Sequence, residues 1–229
     1  MLLLAIDTAG PACAVALLRE VGGDAQIIAE ATEIIGRGHA ERLMPMIEGT
    51  LAGSGAALDD LNRIAVTTGP GSFTGIRVGV AAARGLALAL DIPAVGIGSL
   101  EAMIFPLARE QDRGTVVGVL DAKRGEVFAQ ARDIESGGAL IEAVSLSPRE
   151  LALRLMHAPQ PITLVGNGSP MLATALGETG ARIASAAGFP DISEVARLGV
   201  MSEPGKPPVP YYGRGADAKP QVDKVLAHR

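Results

Sequence analysis

The stretch Thr67-Thr-Gly-Pro-Gly-Ser-Phe-Thr-Gly-Ile-Arg-Val-Gly79 decides how this chain is read. It follows a short apolar run, Arg63–Thr68, and opens onto an Ala-rich segment that continues to Leu90. A strand, a glycine loop and a helix in that order form a natural anion site, because free N–H groups and the helix dipole point out of the helix N-terminus. The chemistry of a phosphate enzyme is nevertheless missing. A Walker loop needs Lys after its last glycine, where Ile76 stands. A dinucleotide fingerprint needs Gly at Thr74, and a nucleophile elbow around Ser72 needs Gly at Pro70. Gly69, Gly71, Ser72 and Thr74, with Asp7 and Thr8 from the N-terminal strand, are therefore candidate nucleotide contacts of a vestigial phosphate loop.

The helix after the loop carries a second pattern. Gly75, Gly79, Ala83 and Ala87 recur every fourth residue and form one smooth stripe. Each helical Gly costs about 0.5–1 kcal/mol relative to Ala, so a close contact should offset it. That contact is either the protein's own sheet or another chain, and the residues alone do not choose.

Working outward, Leu2–Ile6 reads as a buried strand ended by Asp7, with strands Cys13–Arg19 and Gln26–Thr32 around a Gly22-Gly23 hairpin. A helix over Glu41–Leu51 contains Pro45, which must open or kink it. Ala94–Ile97 and a helix from Ser99 to about Arg109 complete the first half. The chain then starts again: Val116–Leu120 ends at Asp121, Val127–Asp133 follows, then Gly137-Gly138 and Leu140–Leu146. Helix–strand units follow, with a loop at Gly166-Asn-Gly168 and a last helix over Ile192–Met201. The aspartates and glycine pairs sit at nearly equal offsets, which predicts an internal duplication. The expected fold is α/β: a duplicated ribonuclease-H-like fold of two lobes, as in actin-like ATPases and sugar kinases. The lobes are predicted at 1–110 and 111–205, with an extended polar tail over 206–229.

The 229 residues include 48% hydrophobic residues, 29 Gly and no Trp, so the core must be aliphatic and tightly packed. The net charge of −5 argues against a protein that grips nucleic acid by itself. Cys13 is the only cysteine, which excludes an internal disulfide and favours a reducing, cytoplasmic setting. The apolar stretch Val78–Leu90 contains Arg84 and falls short of the roughly 20 residues that span a bilayer, so no membrane partner is expected.

Asp7 and Asp121 sit at strand ends, where this fold class places carboxylates that hold magnesium and activate water. The first turn, Thr8-Ala9-Gly10, leaves room for phosphates. The second, Ala122-Lys123-Arg124-Gly125, places two long cations there. His39 lacks the second helical histidine of a metal pair, since Leu43 stands one turn on, so it reads as a surface or interface residue. No metal site and no catalytic residue is expected.

At these residues the chain resembles the bacterial TsaB (YeaZ) family. The resemblance rests on Thr68-Gly-Pro-Gly-Ser-Phe-Thr-Gly-Ile-Arg77, Leu4-Ala-Ile-Asp-Thr8, Gly38-His-Ala-Glu-Arg-Leu-Met-Pro45 and Asp121-Ala-Lys-Arg-Gly-Glu-Val-Phe128. Gly166-Asn-Gly168 and Pro210-Tyr-Tyr-Gly-Arg214 match less strongly. The resemblance implies a non-catalytic subunit that pairs with TsaD, the paralogue that transfers threonylcarbamoyl to adenosine beside the tRNA anticodon. A TsaE-type ATPase joins that assembly. ATP and metal belong to the partner subunits, this chain needs no cofactor of its own, and tRNA is met only indirectly. TsaD holds its metal through two helical histidines one turn apart, and Leu43 replaces the second here. In the family, helices of the N-terminal lobe form the partner interface, and the same face makes a homodimer. That resemblance places His39, Leu43, Ile47, Gly75, Gly79, Ala83 and Ala87 at the interface. It also leads to the expectation that Gly79→Leu or Ala83→Leu breaks the complex while sparing the monomer. Two other functions stand against this one: an autonomous ATPase or kinase using Asp7 and Asp121, and the metallopeptidase of an older family label, for which the sequence offers neither nucleophile nor zinc pair.

Overall fold

The structure is a computed structural model that describes residues 1–177 and 180–213. The expectations for 214–229, Arg214 included, lie outside the described residues. The first half forms β1 (Leu2–Asp7), β2 (Ala12–Val21), β3 (Asp24–Ile34), α1 (His39–Ser54), β4 (Arg63–Gly69), α2 (Phe73–Leu90), β5 (Ala94–Gly98) and α3 (Ser99–Glu110). The second forms β6 (Thr115–Lys123), β7 (Glu126–Asp133), β8 (Ala139–Leu146), α4 (Pro148–Arg154), β9 (Ile162–Val165), α5 (Ser169–Leu176), β10 (Arg182–Ser185) and α6 (Ile192–Met201).

The duplication is plain in the topology. One sheet runs β3-β2-β1-β4-β5 and the other runs β8-β7-β6-β9-β10, so each half repeats the same order. In both, the first three strands are antiparallel and the next two join in parallel. This is the duplicated two-lobed ribonuclease-H-like fold.

Burial explains why β1 reads as a continuous apolar run. Its alternate side chains point to opposite faces, and both faces are covered. Leu2, Leu4 and Ile6 pack with Leu43, Ile47, Ile76 and Val80 of α1 and α2. Leu3 and Ala5 pack with Ile192, Val195 and Leu198 of α6. The alanines on that second face, among them Ala14, Ala16 and Ala65, bring α6 close to the sheet. A Cβ on Gly199 would overlap that of Ala65.

The helices do not respect a division of the chain at 110 and 205. α6, late in the second half, lies on β1, β2 and β4 of the first sheet. α3, at the end of the first half, packs Leu100, Met103 and Ile104 against Val116, Leu120 and Val165 of the second sheet. α3 and α6 also touch each other. The layers are α1 and α2, first sheet, α6 with α3, second sheet, then α4 and α5. The exchange of α3 and α6 is the reason a linear partition of the sequence misplaces them.

Pro45 lies inside α1, not at its start, and the helix begins at His39 behind a left-handed Gly38. α2 is long and apolar enough to cross a membrane by length and composition, but its stripe from Gly75 to Ala87 packs on the chain's own sheet, as a core helix does.

Arg63 fixes α6. Its Nη1 donates to the carbonyls of Gly199, Val200 and Ser202 at 3.0, 3.0 and 2.9 Å, satisfying oxygens that the end of a helix leaves open. Hydrogen bonds from a charged donor are worth about 1.5–3 kcal/mol. Arg63→Ala should therefore lower stability by about 2 kcal/mol, read as a reduced urea midpoint at unchanged slope.

Candidate functional site

The Gly-rich loop does not stand open as a phosphate cradle. It is pressed onto the first turn. Thr8 Oγ1 donates to the Gly75 carbonyl at 2.7 Å, and the Ser72 amide donates to the Ala9 carbonyl at 2.7 Å. A Cβ on Gly71 would strike the Ala9 carbonyl, and one on Gly75 would strike the Thr8 carbonyl. These glycines allow backbone to meet backbone. Ser72 caps α2, its hydroxyl accepting from the Gly75 amide at 3.2 Å, which occupies one of the donors an anion would use. Gly69 has a φ of 105° and sits under Ile76 and the Tyr211 carbonyl. Thr74 is exposed on the first turn of α2. Gly10 is also shut in, because a Cβ there would lie 2.7 Å from the Gly188 carbonyl.

Asp7 is fully buried behind this turn. One carboxylate oxygen accepts from the Ala9 amide at 2.9 Å and from the Thr67 hydroxyl at 2.5 Å. The other oxygen has no hydrogen-bond partner among the described residues. Burial pushes the Asp7 carboxyl above the usual carboxylate range, against the lowering effect of Thr67, the Ala9 amide and nearby His39.

Across the interlobe cleft, Asp121 behaves differently. Lys123 holds it below the usual range, through a side-chain bond of 2.8 Å and a backbone N–H bond of 2.7 Å. Lys123 and Arg124 both adopt positive φ, 65° and 57°, and close a tight hairpin to β7. The second turn is thus folded on its own aspartate. The cleft encloses about 1020 Å³ and is lined by Ser72, Arg77, Asp121, Lys123, Arg124 and Asn167, while Asp7 stays beneath its floor.

The seven residues assigned to a partner interface all face inward. His39 is 8% exposed, and its Nε2 lies 3.2 Å from the Ala12 carbonyl, so it is neither a surface nor an interface group. Leu43, Ile47 and Ala83 are buried in the core with Ala87. Gly75 and Gly79 face Thr8, and a Cβ on Gly79 would meet the Thr8 hydroxyl at 2.5 Å. The smooth stripe serves the protein's own sheet. The expectation that Gly79→Leu or Ala83→Leu spares the monomer is corrected accordingly, because neither side chain has space.

The open surface of these helices is the opposite one. On α2 it carries Thr74, Ala81, Gly85 and Leu88, with Leu88 85% exposed. On α1 it carries Met44, Glu48, Gly49, Ala52 and Gly53. Among the described residues, Gly49, Gly53 and Gly85 have nothing within 4 Å of an added Cβ, so no contact there requires glycine. The one hint in the sequence is that Gly85 lies off the fourfold stripe.

Comparisons with known proteins show the family. The family model described as TsaD, tRNA N6-adenosine threonylcarbamoyltransferase, matches residues 26–200. The Bacillus subtilis tRNA threonylcarbamoyladenosine biosynthesis protein TsaB is 33% identical over 229 residues, 96% of either chain. The Escherichia coli protein of the same name is 37% identical over 172 residues, covering 73% of this chain and 72% of that one. YeaZ from Pseudomonas aeruginosa superposes with a TM-score of 0.69 at 28% identity, covering 87% and 91% of the two chains.

The buried Asp7 carboxyl makes a pH prediction. A raised folded pKa means that the contribution to stability is complete below the unfolded value, about 4, and is lost as pH rises through the folded value. Asp7→Asn should remove that loss. Its stability relative to wild type should rise between acid and neutral pH, as measured by urea unfolding at several pH values.

Relatives 33% and 37% identical, the first matched over 96% of either chain, place this duplicated fold in the TsaB (YeaZ) family.

Proposed function

We propose that this protein is a non-catalytic subunit in the biosynthesis of tRNA threonylcarbamoyladenosine, acting in the cytoplasm by pairing with a TsaD-type transferase. The observation that carries the reading is the open α1–α2 face. It holds three helical glycines, Gly49, Gly53 and Gly85, that no contact among the described residues requires, beside an exposed Leu88. Glycine within a helix is unfavourable, and a smooth helix face offsets that cost when another helix packs closely on it. The same face would serve a homodimer when the partner is absent. The TsaE-type ATPase joins through the assembled pair, and tRNA, ATP and metal are handled by the other subunits.

The closed first turn supports the non-catalytic part of the reading. A phosphate seeking the Thr8–Gly10 turn meets the loop 69–75, and a magnesium ion seeking Asp7 meets a buried carboxyl. The competing ATPase reading requires both groups to be open to solvent.

Leu88→Asp should weaken capture by a TsaD-type partner by roughly thirtyfold, the scale of a 2 kcal/mol hot spot, with unchanged circular dichroism. Gly79→Leu should instead lose cooperative unfolding. If Leu88→Asp binds the transferase at wild-type affinity, the proposed face is wrong. Calorimetry with magnesium-ATP on the isolated chain tests the competing reading, which would prevail on tight binding that Asp7→Ala abolishes.

A further inference from the structure

The last described residues cross from one lobe to the other. Pro208 lies against Gly96 of β5, 3.3 Å from a Cβ placed there. The Tyr211 amide donates to the Thr68 carbonyl at the end of β4 at 2.7 Å, and the Tyr211 carbonyl covers Gly69. These contacts belong to the first sheet. The hydroxyl of the same residue donates to the Ala143 carbonyl of β8, in the second sheet. Two residues on, Gly213 is wedged between Pro70 of the Gly-rich loop and the ring of Phe128 on β7, with no room for a side chain. Between them Tyr212 turns outward to the head of α2. Its hydroxyl accepts from Arg77 Nε at 2.9 Å, and its ring lies 4.9 Å from that of Phe73, over which the Arg77 guanidinium also sits at 3.8 Å.

We infer that residues 208–213 are an interlobe clasp that sets the opening of the cleft, with the Phe73–Arg77–Tyr212 stack as its latch. The argument is geometric. One residue, Tyr211, is gripped by its amide in one lobe and by its hydroxyl in the other, so the lobes cannot separate there without breaking one bond. The latch lies at the cleft mouth, since Phe73, Arg77 and Tyr212 line the same cavity as Asp121 and Lys123. The clasp crosses over Pro70, so a change in cleft opening reaches the Gly-rich loop and the start of α2. Each aromatic or cation–π contact of the latch is individually modest, which suits a fastening that releases.

The test uses the isolated full-length chain and reads the two ends of the clasp separately. Tyr211→Phe removes only the grip on the second lobe. If the residue bridges both lobes, the amide at position 211, bonded in the first lobe, should exchange with deuterium about fivefold faster, the fold-change equal to a lost hydrogen bond of about 1 kcal/mol. Tyr212→Ala opens the latch and should broaden the interlobe distance distribution between fluorophores at Asp24→Cys and Leu153→Cys. Labelling stays selective because burial and nearby acidic groups push the Cys13 thiol up to about 11. An unchanged exchange rate at position 211 in Tyr211→Phe, or an unchanged distance distribution in Tyr212→Ala, overturns the clasp.

Discussion

The close approach of the Gly69–Gly75 backbone to the end of β1 is the contact on which the rest of this structure depends. Thr8 and Ala9 present two carbonyls at the strand end, and Gly71 and Gly75 carry no Cβ to keep the loop away from them. That approach sets the height of α2 over the sheet and buries Gly79, Ala83 and Ala87 behind it. It also seals Asp7 and leaves the outer surface of α2 free. A single change of distance at this point would alter the cleft floor, the helix seat and the available surface together.

The two lobes illustrate how one topology carries two chemistries. At the end of β1 the carboxylate is buried, bonded by Thr67 and the Ala9 amide, and shifted upward by desolvation. At the equivalent end of β6 the carboxylate is partly exposed, held by Lys123 and shifted downward. The first strand end is covered by a loop, whereas the second lines the cleft with its aspartate paired to Lys123.

The duplicated order of strands was legible because buried strands leave unbroken apolar runs, and tight turns need glycine whatever surrounds them. The loop itself was legible for the same reason: Gly71 and Ser72 meet Ala9, and Gly75 meets Thr8. Their state was not legible, since a glycine that admits a phosphate and a glycine that admits a carbonyl look alike in sequence. The places of α3 and α6 were hidden as well. Each has an apolar stripe that fits either sheet, and only the assembled lobes show which one it covers.

The sequence by itself determined the fold class, the repeat, the family and the position of the critical loop, because these follow from local patterns of apolar residues and glycine. It did not determine which side of α2 faces water. Gly75, Gly79, Ala83 and Ala87 make a surface equally suited to a sheet or to a second helix, and Ala81, Gly85 and Ala89 make another. The tertiary structure decided between them. Thr8 and the β1–β4 sheet stand where only the first stripe, lacking larger side chains, allows the backbone to come close enough.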